Sequence, residues 1–369
     1  MPADSFKILA INPGSTSTKI AVYVDETPRV VKNIRHSEEE MAQFRGRPIL
    51  EQQHFRSSQI EAALRDAGEN ISELDAVVGR GGLLPPLPSG TYAVDGKMLE
   101  ELGAARRGEH ASNLGAFLAW DIAKKAGIQA YIVDPVSVDE WPERARLSGS
   151  ALLQRQCLSH ALNSKAVAKR YAREAGKPYA LLRLIVAHLG SGISVSAHQN
   201  GLMADVTNSR EEGAFSTERA GAVPVMQLVN LCFSGQYNQK EVEALLFRDG
   251  GLSSYLGTKD LEEVERRIAG GDKKAAIAFD AMIYQIAKEI GGMAAVLHGR
   301  VDAVLLTGGM AHSQSLVARL RDYVAWIAPV TVYPGEDELQ ALVEGALCVL
   351  RGHEPSRTLA FADEVAVEV

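Results

Sequence analysis

Two stretches half a chain apart share one kind of turn, and this repeat constrains the fold more than any other feature. Residues 8–23 read ILAINPGSTSTKIAVY and residues 184–197 read LIVAHLGSGISVSA. In each, an apolar run meets a turn of Gly and small hydroxyl residues, and a second apolar or alternating run follows. That is the pattern of a tight β-hairpin. Glycine lets the backbone approach a ligand closely, and successive N–H groups with Ser and Thr hydroxyls make an anion-binding concavity. One such hairpin is ordinary. Two of them point to two similar halves facing one phosphate chain.

A third element is the buried-type strand that ends in TGGMAHS at 307–313, followed by an amphipathic segment from 315 to 325. A strand, two glycines and a helix suit the ribose and α-phosphate of a nucleotide, because backbone and helix start can approach them. Neither common nucleotide fingerprint is present. Residues 14–19 are too short for a Walker loop, and Gly190-Ser191-Gly192 lacks the third glycine of a dinucleotide loop.

The 369 residues are 46% hydrophobic and 23% charged, which fits a globular chain long enough for two domains. A net charge of −7 without a basic cluster argues against nucleic acid as the main partner. Cys157, Cys232 and Cys348 are scattered and form no CxxC, so neither a disulfide framework nor a structural zinc site is implied. The N-terminus runs almost directly into a strand without a charged-then-apolar leader, which reads as cytoplasmic. The apolar stretch 275–297 carries Asp280, Lys288 and Glu289 and repeats its apolar residues at helical spacing, so it reads as a core helix and not a membrane span.

The patterning predicts strands at 6–13, 18–25 and 28–36, a helix near 57–68 and a strand at 76–79. Helices at 95–107 and 112–127 and a strand at 130–133 follow, then an irregular crossover at 135–150. The second half predicts a helix near 160–175 and strands at 181–189, 193–198 and 201–206. Helices then run to about 299, followed by a strand at 302–307, a helix at 313–325, a strand at 329–333 and a helix at 338–351. The tail from 352 reads as frayed. Meanders followed by alternating helices and strands, twice over, make an α/β protein of two similar domains.

Several segments together resemble butyrate kinase. They are residues 11–19, HASNLG at 110–115, HALN at 160–163, AHLGSG at 187–192, YLGT at 255–258, TGGMAHS at 307–313 and YPGEDE at 333–338. The likeness keeps register from about 6 to 351. It implies the acetate kinase group and two actin-like (ribonuclease H-like) domains with a nucleotide cleft between them. The first domain would span 1–145, completed by 337–369, and the second 146–336. The implied reaction is ATP plus butyrate, or a branched relative, giving the acyl phosphate and ADP. A small carboxylic acid is the expected partner, and a homodimer or larger homo-oligomer the expected assembly.

That chemistry sets what the residues must do. A carboxylate is already ionised at neutral pH, with an ordinary pKa of about 4, so it needs no general base. It needs relief of the repulsion between its own charge and the γ-phosphate. In-line phosphoryl transfer is catalysed by positioning and by cations around the transferring group. By resemblance, Arg80 clamps the substrate carboxylate, Asp134 works near the phosphoryl group through Mg²⁺ or water, and His160 and Arg219 stabilise the transferring group. Asn12, Ser15, Ser17 and Lys19 form the first phosphate loop, and His188, Gly190, Ser191 and Gly192 the second. Gly257, Thr258, Lys259, Gly308, Gly309, Met310, Ala311 and His312 serve the nucleotide. Asn12 with Glu336 or Asp337 is the implied magnesium site, the cluster of Glu336, Asp337 and Glu338 leaving the choice open.

By residue type alone, Arg80 is equally an ordinary arginine at a strand end, Asp134 a turn residue before Pro135, and His188 a core histidine. The acids at 336–338 also suit a helix N-terminus. Three positions depart from the family pattern: Ser191 replaces a glycine, Thr217 a proline and Ser159 a phenylalanine of the acyl pocket wall. Together with Gly81 and Gly82, Ser159 leaves room for a longer or branched acyl tail. The competing readings are an acetate or propionate kinase, and an actin- or chaperone-like nucleotide switch. For the switch, the Arg80, His160 and Arg219 set would be surplus.

Overall fold

The computed structural model describes residues 5–359; residues 1–4, where a leader would begin, and the last part of the tail, 360–369, lie outside the described residues. The chain opens with strands β1 (Lys7–Pro13), β2 (Ser17–Val24) and β3 (Thr27–Arg35), then helices α1 (Glu38–Ala42) and α2 (Gln53–Asp66). Next come β4 (Ala76–Arg80), β5 (Thr91–Ala93), α3 (Gly96–Ala104), α4 (Asn113–Ala126) and β6 (Gln129–Val133). The second part holds α5 (Glu143–Arg146), α6 (Ala161–Glu174), β7 (Leu184–Leu189), β8 (Ile193–Gln199) and β9 (Leu202–Val206). It continues with α7 (Val225–Cys232), α8 (Gln239–Phe247), α9 (Gly251–Leu256), α10 (Leu261–Ala269) and α11 (Lys273–Val296). It closes with β10 (Ala303–Gly308), α12 (Gln314–Val324) and β11 (Val330–Pro334), and the chain then adds α13 (Glu338–Leu350).

The chain divides into two compact units. One comprises residues up to Val138 together with those from Asp337 onward; the other is Asp139–Glu336. The N-terminal unit holds a six-stranded sheet in the order β3-β2-β1-β4-β6-β5, and the second unit a five-stranded sheet in the order β11-β10-β7-β8-β9. Both repeat one plan. An antiparallel meander (β1–β3; β7–β9) is extended by two strands parallel to its first (β4 and β6; β10 and β11). This is the two-domain α/β architecture read from the repeated hairpin.

The strands that carry the hairpins are apolar on both faces, as expected where helices cover both sides of a sheet. In the N-terminal unit Leu9, Ile11, Val77 and Ile132 share one core with Ile60 of α2 and Leu114, Leu118 and Ile122 of α4. On β6, Val133 lies where Gly345 of α13 allows the helix to come down on it, a Cβ there falling 2.6 Å from a Val133 methyl. In the second unit, alternate residues part in the same way. Ile185, Ala187, Val304 and Leu306 pack with α11 and α12, while Leu184, Val186, Ala303 and Leu305 pack with α6. Phe279, Ile283, Ile286, Ile290 and Met293 lie buried along α11, so the apolar stretch is a core helix. No described helix is long and apolar enough to cross a membrane.

Two local expectations need correction. Edge strand β5 carries no strong apolar pattern and was not anticipated. The tail is not frayed as far as it is described. Arg357 N–H donates to Thr91 O at 2.8 Å and Ala93 N–H to Arg357 O at 2.9 Å, while Leu359 is buried. A backbone bridge and one apolar anchor hold it.

Candidate active site

In the N-terminal unit the site grows from the ends of adjacent strands β1 and β4. Asn12 on β1 is buried and its amide donates to Glu338 Oε2 at the start of α13. Arg80, ending β4, brings Nη1 to 2.6 Å from Glu338 Oε1 and 2.8 Å from Oε2, and to 3.5 Å from Asn12 Oδ1. Its Nε and Nη2 have no partner among the described residues, so one edge of its fork stays open. Close packing of β4 on α4 sets its position. A Cβ on Gly79 would collide with the carbonyl of Gly115, and a Cβ on Gly115 with that of Arg80. Asp134 is buried with a φ of 38°, and its Oδ1 accepts from Ser89 Oγ at 2.6 Å and Gly90 N–H at 2.8 Å. Among the described residues no hydrogen bond or ion pair joins it to Asn12, Arg80 or Glu338.

The turn after β1 is closed by Gly14 N–H donating to Ser17 O at 2.8 Å. Ser15 and Lys19 are exposed and Ser17 is half-buried. Beneath this turn lies Arg56 of α2, fully buried. Its guanidinium donates to the carbonyls of Gly14 (2.8 Å), Ser15 (3.0 Å) and Ser17 (3.0 Å), and to Thr18 Oγ1 (3.0 Å).

In the second unit several of the predicted residues lie close together around the second turn. His160 precedes α6, with Nδ1 2.9 Å from Ser194 Oγ on β8. His188, near the end of β7, is buried, with Nδ1 2.8 Å from Asn163 Oδ1 and Nε2 3.1 Å from Glu336 Oε1. The two imidazoles stack, with centroids 3.8 Å apart and planes within 10°. Arg219 lies against the second glycine turn: a Cβ on Gly192 would fall 2.5 Å from its Nη1. Its Nη1 donates to Ser209 O at 3.0 Å, and no ion pair engages it among the described residues. Burial pushes its pKa below the ordinary arginine value. Ser216 Oγ, which accepts from Arg219 N–H at 3.0 Å, donates to the carbonyl of Ser191. Ser191 has no positive φ, so a side chain there is unstrained.

Gly308 ends β10 with a φ of 89°, and a Cβ there would collide with the Leu189 carbonyl, which places 308–312 beside the second turn. Gly309 and His312 are exposed, and Met310 and Ala311 anchor the segment in the core. Ser313 caps α12 and donates to Glu265 of α10 at 2.5 Å. Gly257 ends α9 with a φ of 72°, Thr258 Oγ1 donates to Glu263 at 2.8 Å, and Lys259 Nζ pairs with Glu218 at 3.1 Å, next to Arg219.

The acid cluster after Pro334 separates into three environments. Glu336 faces His188, Asp337 is exposed, and Glu338 is the carboxylate that Asn12 and Arg80 hold. Among the described residues no group of three or more His, Cys, Asp or Glu side chains is placed to hold a metal. Mg²⁺ bound through one carboxylate, waters and phosphate oxygens needs no such cage.

Sequence reasoning missed Arg56 and Asn163. Arg56 shares a four-residue spacing with Ile60 and Leu64, and all three are buried. An arginine on an apolar stripe is the signal that would have exposed it. The expected acyl room also changes. A Cβ on Gly81 would fall 2.5 Å from Pro135 Cβ, and one on Gly82 2.6 Å from Asn113 Oδ1. These glycines permit close packing and leave no open volume. Ser159 is likewise buried, with Oγ 3.8 Å from Met203 Sδ.

Residues 150–332 match the model of the Acetokinase family. The fold is similar to the crystal structure of Porphyromonas gingivalis acetate kinase, with a TM-score of 0.76 and 20% identity, covering 94% of this chain and 100% of that one. It is also similar to an acetate kinase from Entamoeba histolytica (TM-score 0.73, 17% identity, 92% and 99% covered). A third likeness is to a propionate kinase from Francisella tularensis (TM-score 0.72, 17% identity, 92% and 98% covered).

Proposed function

We propose that this chain, whose residues 150–332 match the model of the Acetokinase family, transfers the γ-phosphoryl group of ATP to the carboxylate of a short-chain fatty acid. Butyrate or a branched relative is the acyl group we favour, on the motifs shared with butyrate kinase. The observation that carries the reading is Arg219: a half-buried guanidinium without an ion pair among the described residues, lying against Gly192 of the same turn whose Gly190 meets His188, one of two stacked histidines. Such a cation is prepared for an anion that arrives with the substrate.

The carboxylate oxygen attacks the γ-phosphorus, the bond to the bridging oxygen breaks, and its electron pair leaves on ADP. No proton moves at the acceptor, since the acid arrives ionised. The open edge of Arg80 suits a substrate carboxylate, whose planar pair of oxygens matches a guanidinium fork. His160 and Arg219 face the charge of the transferring group. The amide and carboxylate oxygens of Asn12 and Glu338 fit a magnesium ion or its waters, and Asp134 keeps Oδ2 without a partner among the described residues. A magnesium ion held there would neutralise phosphate charge. Closure of the site on ATP would exclude water as a competing acceptor.

The close packing of Gly81 and Gly82 favours keeping a second reading, acetate or propionate, in the same assay. Acyl phosphate trapped by hydroxylamine is measured with ATP, Mg²⁺ and each acid from acetate to hexanoate, including isobutyrate. The expected result is hydroxamate formation that peaks at butyrate or isobutyrate. A peak at acetate or propionate would move the substrate to the shorter acids. ATP hydrolysis without hydroxamate from any acid would overturn the kinase reading.

A further inference from the structure

We infer that Arg56 is a positioning residue for ATP: it holds three carbonyls of the first loop inward, and its uncompensated charge prepares that loop for phosphate. The inference rests on the reading of residues 14–17 as a phosphate loop.

The geometry begins with an unusual burial. Arg56 is fully buried, yet among the described residues no carboxylate lies within ion-pair distance of it. Its five N–H groups are instead spent on neutral acceptors. Nε and Nη2 donate to Gln52 Oε1 at 3.0 and 2.8 Å; Nη1 serves Gly14 O, Ser17 O and Thr18 Oγ1; Nη2 also serves Ser15 O. Isolated charges are costly to bury and are ordinarily paired. Burial lowers the Arg56 pKa to about 10, which still leaves it charged at neutral pH. His36 cannot supply the missing negative charge. It lies 2.9 Å from Thr18 Oγ1, and burial together with Arg56 lowers its pKa, so it stays neutral.

The backbone shows what the charge does. In a trans peptide the carbonyl of one residue and the N–H of the next point in opposite directions. With Gly14 O and Ser15 O drawn inward onto the guanidinium, the N–H groups of Ser15 and Thr16 face the other way. Neither has an acceptor among the described residues, and both residues are exposed. Two consecutive free N–H groups on an exposed turn form an anion-binding nest. Thr16 is held from the other side, its carbonyl accepting from His36 N–H at 2.9 Å. The counter-charge that Arg56 lacks in the protein is thus supplied from outside, across one layer of backbone.

The discriminating variant is Gln52→Glu. It is nearly isosteric and keeps both hydrogen bonds to Arg56, but adds a carboxylate that cancels the charge behind the loop. If Arg56 only braced the fold, this variant would fold at least as well and work as well. As a positioning charge for phosphate, it predicts a KM for ATP raised about tenfold, the KM for butyrate changed less than twofold, and an unfolding midpoint that is unchanged or higher. Arg56→Lys, which keeps the charge but cannot reach three carbonyls at once, is expected to raise the KM for ATP as well. Wild-type binding of ATP by calorimetry is the reference. An ATP affinity and KM for Gln52→Glu equal to wild type would overturn the inference while leaving the kinase reading intact. A wild type that binds no ATP would overturn both.

Discussion

The two glycine turns occupy equivalent places in their sheets, yet their charges are arranged differently. In the N-terminal unit the guanidinium of Arg56 lies under the turn and holds its carbonyls. In the second unit the guanidinium of Arg219 lies against Gly192, and a hydroxyl, Ser216, holds the carbonyl of Ser191. Neither arginine belongs to the repeated strands. One comes from α2 and the other from the segment before α7. The repeat supplies position, and segments outside it supply charge. On the proposed reading, a substitution at Arg219 removes a group from the reacting centre, whereas one at Arg56 or Gln52 acts through the backbone.

The sharpest test of that difference is Arg219→Ala beside His160→Ala. Each should lower kcat by about 100- to 1000-fold, the scale for losing one donor to transition-state charge, with the KM for ATP changed far less. A pure KM effect for Arg219→Ala would place it with Arg56 and erase the contrast. Next comes Arg80→Ala, expected to lower kcat/KM by about 30- to 1000-fold, or 2–4 kcal/mol, through loss of the carboxylate clamp. Because Arg80 also pairs with buried Glu338, the variant should unfold at lower denaturant. Glu338→Gln separates the two roles: it should restore the stability of the Arg80→Ala background without restoring the KM for butyrate.

A third test contrasts two glycines of the second unit. Gly308 combines a φ of 89° with a carbonyl in the path of any Cβ. Gly308→Ala should therefore cost about 1–3 kcal/mol of stability, measured by urea unfolding. At Gly190 a Cβ would meet His188 Nε2 at 3.1 Å and Glu336 Oε1 at 3.5 Å, without positive φ. Gly190→Ala should spare stability and lower activity. A similar stability loss at both would mean that the second turn is rigid scaffold.

Much of this was legible beforehand, and the reason is physical. Strands buried on both faces, such as LIVAHL at Leu184–Leu189, leave continuous apolar runs. Turns that need glycine or hydroxyl residues announce themselves. The 275–297 helix was visible in its spacing. What stayed hidden depends on contacts distant in sequence. Arg56 looks like any helical arginine until the turn 39–42 residues away lies over it. Gly81 and Gly82 suggest room until Pro135 and Asn113 are seen against them. Among three adjacent acids, only the start of α13 decides that Glu338 meets Asn12.

The smallest expected effect concerns pH. Each unit buries a histidine in a polar network: His36 beside Thr18, and His198 between Tyr179 and Ser196. Burial holds both below the ordinary value, His198 down to about 3. The unfolded chain takes up a proton near pH 6.5 that the folded one refuses. Stability is therefore complete above 6.5 and is lost as pH falls from there toward 3. At pH 5.5, His198 should cost about 1.4 kcal/mol relative to pH 7.5. His198→Gln should reduce the pH dependence of the urea midpoint by that amount. An unchanged dependence would show that His198 takes up its proton as readily in the folded protein as in the unfolded chain.

On the proposed reading a carboxylate oxygen, and not water, receives the phosphoryl group. Butyrate carrying oxygen-18 in its carboxylate, incubated with ATP and Mg²⁺ and followed by phosphorus NMR, tests it directly. The expected product is butyryl phosphate whose bridging oxygen is the heavy isotope, seen as an isotope shift of the phosphorus signal. Inorganic phosphate formed with the light oxygen of water, and no labelled acyl phosphate, would contradict it.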